Sequence, residues 1–506
     1  MNIHANLTTT ESGNISNNST VGSFSQFVLK KKRNKVLLIA ALVGTIVQLI
    51  IFKSLYPFPD FISDSWSYIA TNVYNMDVNL WPIGYSKFLW FVHLISNRDT
   101  FLIAVQYFLL QAGLMYFFFS ISYLYQPSGR TKLILFIFLL FNPMTLYLSN
   151  CVLSDALFAT LTIILIVQFL WMLHRPNIQQ VALQGIIIGL AFTIRYTAIY
   201  YPLFVLAGML LSRHRPIIKI SGILLGVILI VPFVLYTKQK TKEVTGTAEF
   251  SVFGGWQIAN NALYMYNHII VDTNKLPPET RALDKFSKQF FKNTPPKEEE
   301  LQQLPGTYFI KVPWAILKPY MAYRYTYDDP PGQFKAWGKV SPIYNQYGSY
   351  LIRHFPVAFA KYYLWLNTKN YFLPHLEKFE TYNLTINTVP SHVQDWFGYT
   401  TPDVYAVSVT FQGKLFYAYP ILFMLLNIFY GFCILSLLLT GKFNKLSLYF
   451  KSTLILVSTY LLVNFGFSVF ATPVVIRYQI VPIIILFTFS LLLIDNLDQK
   501  TKIGRQ

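Results

Sequence analysis

Residues 133–173 read LILFIFLLFNPMTLYLSNCVLSDALFATLTIILIVQFLWML, and Asp155 is the only charged residue among them. A helix crosses a bilayer with about 20 apolar residues, so this stretch predicts two membrane spans, at 133–150 and 152–173. The whole chain has the same character: 54% of its 506 residues are hydrophobic, only 12% are charged, and the mean hydropathy is +0.42. Soluble domains carry about twice that charged fraction. The sequence therefore predicts an all-α polytopic membrane protein.

Further apolar runs continue this pattern on both sides of the quoted stretch. Together they predict about ten transmembrane helices, although the two runs within 181–211 are short and closely joined. The predicted spans are 36–55, 100–124, 133–150, 152–173, 181–195, 197–211, 217–236, 416–439, 450–470 and 474–494.

Lysine and arginine are concentrated in every second connection between the predicted spans. Cytoplasmic loops carry such an excess, so both termini are expected in the cytoplasm. The same bias accounts for much of the formal net charge of +19, which also favours contact with anionic membrane lipids. Nucleic acid is not an expected partner, because the basic residues form short clusters between apolar runs. These clusters fall within 30–35, 130–132, 174–175, 213–219, 442–445 and 500–505.

The predicted topology divides the chain into four regions. Residues 1–35 begin with an Asn-, Ser- and Thr-rich stretch and are expected to form a disordered cytoplasmic tail. Residues 36–237 are expected to form an N-terminal transmembrane core with a first outer loop at 57–98. Residues 238–415 are rich in Pro, Gly, Tyr and Trp and are expected to form an extracytoplasmic domain of mixed secondary structure. Residues 416–506 return to transmembrane helices and end in a short cytoplasmic tail.

Two carboxylates in this layout need an explanation, because charges at membrane depth are costly and are often functional. Asp64 follows the first span, and Tyr68 shares its helix face at a spacing of four residues. Asp155 opens the span 152–173. The alternative is that each carboxylate caps a helix. Asp60 lies close to Asp64 in sequence and is a rival for its role.

Three of the cations on the side away from the basic clusters need an explanation. Arg195 and Arg477 each occur as Ile-Arg-Tyr near the outer end of a span, and Lys87 follows a Pro-Gly break near the outer interface. Guanidinium groups bind phosphate through two parallel hydrogen bonds, so one buried phosphate would explain both arginines. The alternatives are ion pairs with Asp64 or Asp155 and, for Lys87, a side chain that snorkels to the interface.

Taken together, these residues resemble the GT-C superfamily of integral membrane glycosyltransferases. The closest similarity is to bacterial aminoarabinose and mannosyl transferases and to protein O-mannosyltransferases, and it covers about the first 210 residues and the last span. The segment 238–415 is similar only in character, and Ser65 and Ser67 stand where many relatives have Glu and Arg. The matching motifs are Asp64 to Tyr68, Pro82 to Lys87, Ser154-Asp155-Ala156-Leu157-Phe158, Gly185 to Arg195, and Arg477-Tyr478.

The resemblance implies transfer of a sugar from a polyprenyl-phosphate carrier to an acceptor hydroxyl, with inversion, at the outer face of a bacterial inner membrane. Asp64 would be the base and Asp155 a second polar or metal-supporting group. Lys87, Arg195, Arg477 and Tyr478 would bind the donor phosphate, and Trp66, Tyr68 and Trp81 would line the sugar site. The sugar and the acceptor (a lipid, a glycan or a protein) stay open.

A metal ion and two other functions also stay open at this point. Relatives that use a lipid pyrophosphate usually need a divalent ion, whereas relatives that use a monophosphate often do not, so no cofactor is certain. A polysaccharide polymerase or ligase also uses outer arginines and a long outer loop. A flippase for lipid-linked glycans is less well supported, because the chain lacks the internal repeats of many transporters.

Overall fold

The computed structural model describes residues 23–304, 306–471 and 473–503, and the side chains through 496. These residues form helices and turns, with isolated bridges and no β-strand. Eight of the helices are long and apolar enough to cross a bilayer, so the chain is an all-helical integral membrane protein. They coincide with eight of the predicted spans. The other two predicted spans, 181–195 and 197–211, correspond to shorter apolar helices, Ile178–Ile194 and Tyr196–Leu211.

The described residues of the N-terminal half form eleven α-helices. They are α1 (Phe24–Leu29), α2 (Lys32–Leu55), α3 (Ser63–Val73), α4 (Gly84–Ile95), α5 (Asp99–Leu124), α6 (Gly129–Phe141), α7 (Pro143–Asn150), α8 (Asp155–His174), α9 (Ile178–Ile194), α10 (Tyr201–Leu211) and α11 (Pro216–Thr245).

Shorter helices and turns follow between α11 and the C-terminal spans. They are α12 (Val252–Leu263), α13 (Arg281–Asn293), α14 (Glu298–Gln303), α15 (Tyr308–Lys311), α16 (Leu317–Arg324), α17 (Pro330–His354), α18 (Pro356–Phe359), α19 (Trp365–Phe372), α20 (Ser391–Phe397) and α21 (Phe411–Phe416). The chain ends with α22 (Tyr419–Leu439), α23 (Leu448–Ala471) and α24 (Ile480–Ile503).

The opening stretch of sequence folds into three of these helices. Asn142 caps α7 by accepting a hydrogen bond from the backbone N–H of Met144 at 3.1 Å, and Pro143 occupies the first turn. The Asn142 cap and Pro143 divide the predicted span 133–150 into α6 and α7. A short turn over Cys151–Ser154 then reverses the chain, and Asp155 lies in the first turn of α8.

The predicted disordered tail is wrong for residues 24–35, and residues 1–22 lie outside the described part. Ser23 and Gln26 form a capping box that starts α1. The ring of Phe24 contacts Trp171 at 5.2 Å between centroids, and Phe27 contacts Tyr123 at 5.2 Å. Aromatic burial therefore offsets the low helix propensity of this polar stretch.

The segment predicted at 238–415 differs from expectation in where it begins and in its secondary structure. Helix α11 continues through the expected boundary at residue 237 to Thr245, because the sequence KQKTKEV favours a helix. The described residues of the segment contain helices and turns, so the expected mixture with strands is not found. Residues 252–363 form a second hydrophobic core, separate from the core shared by the spans.

The ends of the spans differ in charge, and this difference defines two ends of the molecule. The basic end carries the clusters around Arg33, Lys132, Arg213 and Lys442. The far end carries the loop after α2 and the segment after α11. That segment binds the far end directly, since Asn261 Nδ2 donates to the carbonyl of Phe470 at 3.0 Å.

Candidate functional site

Four of the charged residues singled out in the sequence, Asp64, Asp155, Arg195 and Arg477, lie together at the far end. Arg195 Nη1 pairs with Asp155 Oδ1, and Arg477 Nη1 pairs with Asp155 Oδ2 at 3.0 Å. Arg477 Nη2 lies 4.0 Å from Asp64 Oδ2. We call these residues, with the three added below, the charge network. Ion pairing, the alternative explanation of the two arginines, is therefore present in the structure.

Helix ends place all four side chains at one level. Asp64 lies in the first turn of α3 and Asp155 in the first turn of α8, where the helix dipole favours a carboxylate. Arg195 follows the last residue of α9. Arg477 lies in a 3-10 turn, Ile476–Gln479, that leads into α24. The charges thus meet where the spans begin or end at the far side.

Three residues of the outer segment complete the charge network and were not predicted. Lys378 Nζ lies 3.1 Å from Asp64 Oδ2, and Glu377 Oε2 lies 3.7 Å from Arg477 Nε. Lys311 pairs with the other oxygen of Glu377. Glu377 and Lys378 lie in a Pro- and aromatic-rich segment without a periodic signal, so sequence reasoning could not select them.

The loop that carries Glu377 has an unusual backbone. Glu377 has a φ of +53°, a left-handed conformation that costs free energy for residues other than glycine. Just before it, the N–H of Ile476 donates to the carbonyl of His375 at 2.9 Å. This bond joins the loop to the turn that carries Arg477. Strain of this kind is frequent at functional sites.

Three carboxylates and four cations make up the charge network, a net charge of +1 when all are ionised. Burial opposes ionisation of Asp64, but Lys378 and Arg477 outweigh it and hold the pKa of Asp64 below its usual value. Burial likewise opposes ionisation of Glu377, yet Lys311, Lys378 and Arg477 lower its pKa to about 2. Both carboxylates are therefore charged at neutral pH.

Of the predicted aromatic residues, Tyr478 contacts the charge network and Tyr68 contacts Ser154, the neighbour of Asp155. The hydroxyl of Tyr478 accepts a hydrogen bond from Arg477 Nη2 at 2.7 Å, and its ring lies 4.4 Å from the Arg195 guanidinium carbon. Tyr68 is buried, with its hydroxyl 3.1 Å from Ser154 Oγ. Tyr478 thus fixes both arginines through a hydrogen bond and cation–π contact.

The other predicted lining residues have different surroundings. Trp66 is half-buried on α3, and its Nε1 is buried without a hydrogen-bond partner. Trp81 packs on Phe253, with ring centroids 4.9 Å apart. Lys87 is exposed on α4. In the described part of the chain, neither Trp81 nor Lys87 forms an ion pair or ring contact with the charge network, so their roles stay predictions.

The charge network does not suit a metal ion. Across the described residues, no group of three or more His, Cys, Asp and Glu side chains lies close enough to hold one. Asp64 and Asp155, the carboxylates suggested as metal ligands, both lie beside Arg477, and a guanidinium repels a cation. No step below is assigned to a metal.

Two surface cavities occur elsewhere in the molecule. One of about 200 Å³ lies at the basic end beside Tyr125, His174 and Asp495. Another of about 390 Å³ lies in the outer segment beside Tyr266 and Phe291. Neither is lined by a member of the charge network.

Asp60, the rival carboxylate, is buried beneath this site. It is 4% exposed, and its Oδ1 accepts a hydrogen bond from the N–H of Asn383 at 2.9 Å. Its backbone joins the turn before α8, because its N–H donates to the carbonyl of Asn150 at 3.0 Å. Burial raises the pKa of Asp60 to about 7, although the Asn383 hydrogen bond and the cations Lys378 and Arg477 favour the ionised form.

Replacing Asp60 with asparagine is expected to stabilise the protein above pH 7. The folded state holds the Asp60 proton up to about pH 7, whereas the unfolded chain loses it near pH 3.8. The wild type therefore loses stability as pH rises between these values, by at most roughly 4 kcal/mol. Thermal unfolding across this range should show that slope in the wild type and a flatter curve in Asp60→Asn. Equal slopes would contradict the account.

In comparisons with known proteins, no family model, curated protein or solved structure matches the chain.

Proposed function

We propose that the charge network is the catalytic centre of a glycosyltransferase that takes a sugar from a polyprenyl-phosphate carrier. The observation that carries the proposal is the meeting of Asp64, Asp155, Arg195 and Arg477. They come from four separate parts of the sequence, yet they form one group at the end opposite the basic loops. If the basic end is cytoplasmic, the reaction takes place outside, at the outer face of a bacterial inner membrane.

The reaction has few chemical requirements, and this chain has residue types for each. A carboxylate accepts the proton of the acceptor hydroxyl as its oxygen attacks the anomeric carbon. The bond from that carbon to the phosphate oxygen breaks, and its electron pair leaves with the carrier phosphate. Cations then stabilise the negative charge that grows on the phosphate. Displacement from the opposite face inverts the anomeric configuration.

Asp64 is the base in this scheme, and donor binding prepares it. Without the donor, Lys378 and Arg477 favour its ionised form and make it a weak base. The donor phosphate is a diester with one negative charge, and it competes with Asp64 for the same two cations. As they turn toward the phosphate, the pKa of Asp64 rises and its carboxylate becomes a better proton acceptor. Binding of the donor therefore makes Asp64 a stronger base.

Arg195 and Arg477 hold the phosphate, and Asp155 orients them. Asp155 pairs with one guanidinium through each of its oxygens, which fixes the separation between the two groups. Tyr478 contacts Arg477 and Lys378 contacts Asp64, and they add a hydroxyl and an ammonium. Four protein cations supply the positive charge needed by the leaving phosphate. Trp66, with its unpartnered indole N–H, is the candidate donor to a sugar hydroxyl.

The test is release of carrier phosphate by the full chain in proteoliposomes. A set of radiolabelled sugars on synthetic polyprenyl monophosphate and pyrophosphate would be supplied, each with candidate lipid and glycan acceptors. We expect release from a monophosphate donor that persists in the presence of a chelator. No release from any donor, by a preparation that is folded and monodisperse, would contradict the proposal.

A further inference from the structure

The outer face of helices α18 and α19 carries an alternating apolar and basic stripe. Val357 is 80% exposed, Trp365 61% and Leu373 47%, and the exposed Lys361 and Lys369 lie between them. We call these five residues the stripe. Large apolar side chains with this exposure are unfavourable in water, whereas at a membrane surface they are stabilised.

A π turn keeps the stripe on one side. In a regular α-helix, side chains four residues apart drift by roughly 40° at each step. Residues Ala360–Leu364 form a π turn, which is wider and rotates the following residues back. The five side chains of the stripe therefore keep a common exposure over the length of α18 and α19. Such turns occur frequently at functional sites.

The opposite face of α19 packs along a membrane span. Asn367 Nδ2 donates to the carbonyl of Val469 at 3.0 Å, and the hydroxyl of Tyr371 donates to Asn464 Oδ1 at 3.0 Å. The contacts run in opposite directions along the two helices, so α19 is antiparallel to α23. Its C-terminal turn thus reaches roughly 10 Å below the far end of α23. At this depth, the exposed face of α19 meets the bilayer.

We propose that the stripe docks on anionic phospholipid headgroups of the far leaflet. Lysine side chains at an interface extend their ammonium groups to the headgroup level, while tryptophan favours the same layer. Residues 353–376 contain no Asp or Glu, so no neighbouring carboxylate in this stretch competes with phosphate for the two lysines. Zwitterionic headgroups accept the apolar side chains but carry no net charge, whereas anionic headgroups also attract the two lysines.

Docking also has a consequence for the charge network. Leu373 ends the stripe, and the loop with His375, Glu377 and Lys378 follows directly. The bond from Ile476 to the carbonyl of His375 holds the other end of this loop. Docking of the stripe on the bilayer would therefore hold the N-terminal end of this loop, next to Leu373. Anionic lipid is expected to order residues 374–380 as well as the stripe.

The experiment compares the full chain in nanodiscs of phosphatidylcholine with and without phosphatidylglycerol. Hydrogen exchange of peptides within 356–380 and mass spectrometry of co-purified lipid would be measured. We expect slower exchange and bound phosphatidylglycerol in the wild type. The double variant Lys361→Glu, Lys369→Glu should bind about thirtyfold less of it. The exposed pair Lys285→Glu, Lys335→Glu carries the same charge change and should behave as wild type.

The remaining outcomes separate this proposal from its rivals. Equal lipid binding by the stripe variant and the wild type would overturn it, as would a response seen only with polyprenyl monophosphate in phosphatidylcholine. If the charge reversal prevents folding, the double variant Lys361→Gln, Lys369→Gln replaces it. This variant should also lose most of the phosphatidylglycerol binding and of the slowed hydrogen exchange. Because no turnover is measured, the result stands whether or not the chain proves to be a glycosyltransferase.

Discussion

Arg477→Ala is expected to lower both the stability of the protein and its affinity for the donor. Arg477 is 4% exposed and contacts Asp155, Glu377 and Tyr478, so its removal leaves buried acceptors without their partner. Breaking a buried ion pair in this way typically costs about 3 to 5 kcal/mol. Arg195 still pairs with Asp155 and Lys311 still pairs with Glu377 in this variant. The expected loss of stability is therefore at the lower end of that range. Thermal unfolding in detergent and a titration with polyprenyl monophosphate would measure both effects.

The conservative variant Arg477→Lys separates charge from shape. A lysine keeps the positive charge, but its single ammonium cannot replace three nitrogens that point at different partners. We expect it to recover part of the stability and less of the donor affinity. If alanine at this position leaves donor binding unchanged, Arg477 does not hold the phosphate.

Asp64→Asn is expected to remove most turnover with little change in folding. The amide keeps the size of the side chain but cannot accept the acceptor's proton, and general bases typically contribute about 10²- to 10⁴-fold. The side chain is 21% exposed, so the pairing lost with Lys378 is partly replaced by water. Initial rates with a saturating donor, beside a melting curve for the same preparation, would give the two quantities.

A matched control and the rival carboxylate complete that experiment. Asp328 is exposed and lies in the outer segment, so Asp328→Asn should turn over as the wild type does. Full activity in a folded Asp64→Asn protein would remove Asp64 as the base. Asp60 and Asp155 would then be the next residues to replace.

The spans could be predicted because one property determines them. A run of about 20 apolar residues crosses a bilayer almost regardless of order, and eight predicted runs match long helices. The exceptions arise from local detail. Pro143 breaks one run into two helices, and the capping box at Ser23 starts a helix where composition indicated disorder. These effects depend on single residues.

Only those residues of the candidate site that place a charge next to an apolar span could be predicted from the sequence. A charge beside an apolar span stands out, which is how Asp155, Arg195 and Arg477 were selected. Glu377 and Lys378 lie in a segment that already contains many charges, so nothing in the sequence distinguishes them. Their contacts depend on a loop with left-handed backbone. Lys87 was chosen as a cation near the outer interface and Trp81 through the family resemblance, and among the described residues neither contacts the network directly.

The central claim is that the charge network receives the phosphate of a lipid-linked sugar, and photo-crosslinking tests it most directly. A polyprenyl monophosphate with a photoreactive group next to the phosphate would be added to the full chain in nanodiscs, and the labelled peptides would be mapped. The account predicts labels near Asp64, within 374–380 and around Arg477, and their loss when unlabelled carrier is added in excess. Competable labelling confined to other regions, such as the cavity beside Tyr125 and His174, would contradict it.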